Sequence, residues 1–237
     1  MIPPLASPAA TFRSLARAHH GAPWLDEAVA ALDACMAQDG GHDYGHLLRV
    51  LANAARIVTE ERLASPYAAP PSWDAIAAAV LFHDVVNLPK NHPERHLASA
   101  RSGELAAEVL AGIADFPVAL IPLVQEAIRT HSYSAGLVAQ SLEARIVCDA
   151  DRLESIGAFA IARTFYVSGA LGRSICHLED PFAQARPLDD REYGVDHFYT
   201  KLLRLKDQLY TDAAKRVAES RHALMLTFLE GLREELG

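Results

Sequence analysis

Cysteine is scarce and scattered in this chain of 237 residues: Cys35, Cys148 and Cys176 are odd in number, far apart and without a CxxC pair. They support neither a disulfide framework nor a thiolate zinc site, and a reducing cytoplasm is the expected setting. Aromatic residues amount to 7%, and runs of valine, isoleucine and threonine are short, so no stretch reads as a sheet. No apolar run is long enough to span a membrane. The opening MIPPLASPAATFRSLARAHH carries early prolines and lacks a basic start followed by a continuous apolar stretch, so it does not resemble a secretory signal. No GxSxG elbow and no glycine-rich phosphate loop is present, which removes the serine-hydrolase, Rossmann and P-loop readings. Positive charge is also short: 22 Lys and Arg against 30 Asp and Glu leave a formal charge of -8. Such a surface repels phosphate backbones, so no nucleic-acid partner is expected. A small anionic substrate stays compatible if a bound divalent cation supplies local positive charge.

What is abundant is apolar and helix-favouring. Hydrophobic residues make up 51% of the chain, enough for one sizeable core of helices packed on helices, hence an all-α fold. Residues 1–21 read as an arm or short helix and 22–237 as one domain. AVAALDACMA has amphipathic spacing and stops at Gly40-Gly41. A second helix runs from Asp43 to about Ala64, with Leu47, Val50, Leu51, Ala54 and Ile57 or Val58 at steps of three and four. SWDAIAAAVLFHDVV is apolar nearly all round after a Ser72 cap, which predicts a central buried helix stopped by Pro89. HLASARSGELAAEVLAGI and PVALIPLVQEAIRTHS predict two more helices, the latter with Pro117 in its first turn and a bend near Pro122. SLEARIVCDADRLESIGAFAIARTF predicts one long helix. Residues 168–192 lack a period and form an unusually long irregular connection, suited to a lid or a partner-binding loop. The tail from Asp196 returns to helical spacing, as one bent helix or two.

Three separated segments hold the chemistry: GHDYGHLLRV, LFHDVV and CDADRLESIG. His83 and Asp84 follow an apolar helix, and burying an imidazole and a carboxylate without partners costs several kcal/mol. Either they satisfy each other by a hydrogen bond or a divalent ion satisfies both. Mixed nitrogen and oxygen donors suit manganese, iron, cobalt, nickel or zinc better than calcium. His46 sits beside apolar positions that must face the core, whereas Gly40 and Gly41 place His42 ahead of the helix. Lys90, His92, Arg95 and His96, with Asn91 among them, make a basic cluster where a loop can hold phosphate oxygens. His131 at a helix end can donate to phosphate, hold a second metal or serve as a cap.

HLLRV, then HD on an apolar helix, then ADRL on a later helix resembles the HD-domain phosphohydrolase superfamily over roughly residues 40–165. The resemblance implies a single-domain HD-type helical bundle and metal ligation by His46, His83, Asp84 and Asp151. It favours Asp151 over Asp149, which would point about 160 degrees away on an ideal helix and take a partner such as Arg145 or Arg152. FHDVVNLPKN, SGELAAE, AIRTHSYS and DADRLESIGAFAIARTF further resemble a branch of small stand-alone bacterial HD hydrolases, some of which release pyrophosphate from nucleoside triphosphates. The implied activity is hydrolysis of a nucleotide or related small phosphoester by attack of metal-bound water, with manganese the first candidate ion, ahead of iron, cobalt, nickel, zinc or magnesium. Asp84, His131 and Lys90 are then the catalytic candidates, with Glu154 a further carboxylate able to orient water. Lys90, Asn91, His96 and His131 are the substrate-binding ones. Two rival readings are a non-catalytic metal-containing sensing or protein-interaction domain using the 168–192 loop, and an iron oxygenase recruiting His42 and His131 to a second metal.

Overall fold

A ten-residue helix, Trp73–Phe82, explains much of the architecture, because every side chain from Ala75 to Phe82 is buried. Four of those eight are alanines, which let neighbouring helices approach from all sides. Its first turn is fixed by Ser72, whose hydroxyl accepts from the Ala75 amide at 3.3 Å. Asp74 in the same turn accepts from the Trp24 indole at 2.8 Å. The computed structural model describes residues 8–19, 22–35, 44–64, 69–88, 92–132 and 135–236. Among them are ten α-helices and no strand beyond one isolated bridge, Ser174 with Tyr193, so the fold is all-α as the composition required. No described helix is long and apolar enough to cross a membrane.

The described chain groups into two units, 1–151 and 152–237. In the first, α1 (Pro8–His19), α2 (Leu25–Cys35), α3 (Tyr44–Ala64), α4 (Trp73–Phe82), α5 (Ala98–Ala111) and α6 (Ile121–His131) come in chain order. α2, α3, α5 and α6 all pack on α4. α7 (Leu142–Glu154) carries the chain out of this unit. Within it, Asn53 on α3 donates to the Ala150 carbonyl on α7 at 2.9 Å, and the Cys148 thiol donates to the Thr130 carbonyl on α6 at 3.3 Å. These ties bring α3, α6 and α7 around the C-terminal end of α4.

In the second unit, α8 (Ala158–Ala170), α9 (Gly194–Thr200) and α10 (Asp212–Leu236) gather Phe165, Phe198 and Phe228 with ring centroids 5.8 to 5.9 Å apart. Residues 171–193 carry no helix but are held down. At the loop's base the Ser174 amide donates to the Glu192 carbonyl and the Gly194 amide donates to the Ser174 carbonyl, and Asp180 accepts from the amides of Gln184, Ala185 and Arg186.

Three helices depart from the sequence expectation. The long helix over 141–165 is two, α7 and α8, because Gly157 has φ 100° and ψ -158°, a conformation essentially reserved for glycine. A Cβ there would also stand 3.0 Å from Cβ of Arg221, whose guanidinium donates to the Leu153 carbonyl. Gly157→Ala is therefore expected to lower stability by about 1–3 kcal/mol, read as a reduced urea midpoint; an unchanged midpoint would contradict the strain. α6 starts at Ile121 rather than Pro117, with a separate 3-10 turn at Val118–Leu120 and Pro122 in its first turn, so no bend is needed. The third departure is α4, which ends at Phe82 and leaves His83 and Asp84 in the turn that follows.

Candidate metal centre

His83 and Asp84 leave the end of α4 toward the side where α3, α6 and α7 converge. His83 is completely buried and its Nδ1 lies 2.9 Å from the Val80 carbonyl. A carbonyl can only accept, so Nδ1 carries the hydrogen and the neutral ring presents the lone pair of Nε2. His131 at the end of α6 is fixed in the same way, with Nδ1 2.6 Å from the Ile128 carbonyl. Both rings are set by carbonyls three residues back, a second-level support typical of metal-ligating histidines.

Nε2 of His46, on the first turn of α3, lies 3.0 Å from Nε2 of His83. Asp84 Oδ2 is 3.3 Å from His83 Nε2 and 3.7 Å from His46 Nε2, and Asp151 Oδ1 on α7 is 3.7 Å from His46 Nε2. The ligand atoms of His46, His83 and Asp84 all lie within 4.8 Å of one another. Donors bound about 2.1 Å from one ion sit roughly 3.0 to 3.4 Å apart, so the spacing fits a shared cation. Two imidazole nitrogens facing each other at 3.0 Å share either one hydrogen, which His46 can donate to the Nε2 lone pair of His83, or a metal ion. The four ligands expected from the sequence are thus brought together.

Asp84 divides the site. While Oδ2 faces His46 and His83, Oδ1 is 3.3 Å from Nε2 of His131. On that second side opens a cleft of about 280 Å³, lined by Asp84, Asn87, Arg95, Ser99, His131 and Ser132 among others. Of the substrate-binding candidates, His131 lies in the cleft wall, whereas His96 is exposed on the 3-10 turn Arg95–Leu97. Lys90, Asn91 and the alternative ligand His42 fall outside the described residues. Arg95 was visible only as one member of the basic cluster, and Ser99 and Ser132 carried no signal because they come from two different elements. Asp149 is fully buried, Arg145 donates to the Ala139 carbonyl and Arg152 to that of Gln208. Glu154, considered as a water-orienting carboxylate, accepts from Arg163 at 2.9 Å.

Without a metal ion, the acids of this site would favour the charged form of His83. Burial opposes the imidazolium of His83, but the charge and hydrogen bond of Asp84, with help from Asp151, raise its pKa from 6.5 to about 9. Burial also pushes Asp84 up, and His83 and His131 outweigh it, holding this carboxyl well below the usual range. The stability due to His83 is complete below about pH 6.5 and is lost as pH rises through about 9. That due to Asp84 is present above the ordinary carboxylate range and is lost as pH falls through its lowered value. Urea midpoints of the metal-free protein should therefore fall between pH 6.5 and 9. Metal loading should suppress that fall, because ligation requires the neutral ring. Midpoints flat across this interval would rule out the pairing.

Comparison with known proteins agrees with this geometry. The HD domain family model matches residues 43–156. The chain is 31% identical over 206 residues to the uncharacterised protein YpgQ of Bacillus subtilis strain 168, covering 84% of this chain and 86% of that protein. A crystal structure of an HD-superfamily hydrolase from Bacillus thuringiensis superposes with a TM-score of 0.66 at 29% identity, covering 89% of this chain and 95% of the other. B. subtilis YpgQ in complex with ADP superposes with a TM-score of 0.62 at 28% identity, covering 90% and 96%.

Proposed function

The chain belongs to the HD domain family, and from that premise we propose that it is a metal-dependent phosphohydrolase of a nucleotide or a related small phosphoester, with pyrophosphate release from nucleoside triphosphates ahead of monoester cleavage. The observation that carries this reading is the meeting of His46, His83, Asp84 and Asp151 beside an open cleft. Similarity to YpgQ, whose structure was solved with ADP, supports a nucleotide as the substrate class. Manganese is the first candidate ion, given two imidazoles and two carboxylates.

Bound at these four residues, a divalent ion supplies the positive charge that acidifies water and polarises a phosphoryl oxygen. The chain's own part is to hold that chemistry in place. The Val80 carbonyl keeps Nε2 of His83 aimed at the site, and Asp84 joins the metal side to the cleft side through its two oxygens. His131 holds its Nδ1 hydrogen on the Ile128 carbonyl and its Nε2 3.3 Å from Asp84 Oδ1 at the cleft wall, so as an imidazolium, and only in that form, it can donate from Nε2 to a phosphoryl or leaving-group oxygen. Lys90 is assigned the same charge-stabilising role from its place in the basic cluster.

Metal analysis of the purified chain, followed by assays for phosphate and pyrophosphate release with manganese across nucleoside triphosphates, phosphomonoesters and cyclic nucleotides, tests the reading. About one tightly held metal per chain and hydrolysis of a nucleotide are expected, and the released product separates pyrophosphatase from monophosphatase chemistry. Metal retention without turnover on any member of the panel would replace this reading with that of a sensing or interaction domain.

A further inference from the structure

The cleft on the far side of Asp84 contains a cation that the metal site does not use. Arg95 is half-buried and lines that cleft, and one of its terminal nitrogens donates to the Leu88 carbonyl. Among the described residues no carboxylate pairs with it, whereas other arginines of the same unit do find acids, as Arg101 finds Glu94 and Arg56 finds Glu60. A guanidinium has five donors in a rigid fork. With one committed to Leu88, the carbonyl bond fixes the group in place while leaving the rest of the fork for a planar or tetrahedral oxyanion.

Arg95 is the cation on this wall. Ser132 lines the cleft beside it, the Ser99 hydroxyl donates to the Arg129 carbonyl at 3.3 Å, and His131 sets Nε2 3.3 Å from Asp84 Oδ1 with its other nitrogen against the Ile128 carbonyl. Ala98 and Ser99 are the first residues of α5, so the positive end of that helix dipole adds to the charge of Arg95. The cleft is small and open to solvent, with Arg95 and the first turn of α5 on its wall.

We propose that this cleft is a phosphoryl seat with Arg95 as its anchoring cation, holding a phosphoryl group of the ligand next to the metal-ligating side of Asp84. The biological meaning of the seat rests on the phosphohydrolase reading above, but its existence is tested by binding alone. Inorganic phosphate is titrated calorimetrically into the manganese-loaded full chain, wild type, Arg95→Gln and Arg95→Lys, with metal content and thermal midpoint measured on each. Loss of a charge-assisted contact worth 1.5–3 kcal/mol should weaken phosphate binding by roughly 10- to 100-fold in Arg95→Gln at unchanged metal content. Arg95→Lys, which keeps the charge but not the fork, should fall between the two, and it serves as the test if the glutamine variant does not fold. Equal phosphate affinity in wild type and the variants, or no phosphate binding to wild type, overturns the seat. Arg95-dependent phosphate binding without any hydrolysis would uphold the seat and sink the hydrolase reading. Hydrolysis with Arg95-independent binding would do the reverse.

Discussion

Asp84→Ala is expected to empty the metal site of the folded chain and to lower turnover by roughly 10²- to 10³-fold. Asp84 is the one residue whose two oxygens serve both halves of the site, Oδ2 toward His46 and His83 and Oδ1 toward His131. Removing it takes away a candidate ligand and also the anion that, ahead of Asp151, favours the charged ring of His83. Burial then dominates and returns that imidazole to its neutral form. The variant should consequently lose the fall in metal-free stability between pH 6.5 and 9. Metal content by mass spectrometry, product release and urea unfolding measured on one preparation check all three effects. A folded Asp84→Ala protein that holds metal and keeps wild-type turnover would refute the assignment.

The second large effect lies far along the sequence from these ligands. Asp196 is completely buried in the second unit and accepts from both terminal nitrogens of Arg186, at 2.6 and 2.8 Å, and from the Asp189 amide at 2.6 Å. The Arg186 guanidinium lies 4.6 Å from the centroid of the Tyr193 ring. The Arg186 side chain is 16% exposed and keeps its bonds to the Asp180 and Pro187 carbonyls, so removing Asp196 costs about 1–3 kcal/mol, that of lost charge-assisted hydrogen bonds. Asp196→Ala should therefore destabilise the protein and raise amide exchange across residues 171–193 well above that of α4. Exchange in this loop equal to wild type would show that the Arg186–Asp196 pair does not hold it. Side chains of Asp180, Asp190 and Asp196 accept hydrogen bonds at three points of this irregular connection and its junction with α9.

The extent of the site that the sequence disclosed differs from residue to residue. His83 and Asp84 were legible because an apolar helix delivers them into a buried position where polar groups need partners. His46 was legible because its helix has a clear apolar face. Asp151 was not distinguishable from Asp149 by periodicity, and only its resemblance to a known motif singled it out; in the structure it is Asp151 that reaches His46. Arg95 and His96 looked alike as adjacent members of a basic cluster. A 3-10 turn sends one into the cleft and leaves the other exposed, and a turn of that kind has no period to read.

The sequence by itself determined the helical class, the apolar helix before His83 and Asp84 as a buried centre, and the identity of the metal-ligand candidates, since these follow from composition, amphipathic spacing and short motifs. It did not determine the break at Gly157, because a single glycine inside a helical pattern is tolerated unless the next helix needs a positive φ. Nor did it determine that Asp84 faces two ways or that Arg95 is the cation beside it. Those facts depend on side chains from α3, α6 and α7, and from the turn before α5, meeting at the end of α4. Only three-dimensional packing brings together groups so far apart along the chain.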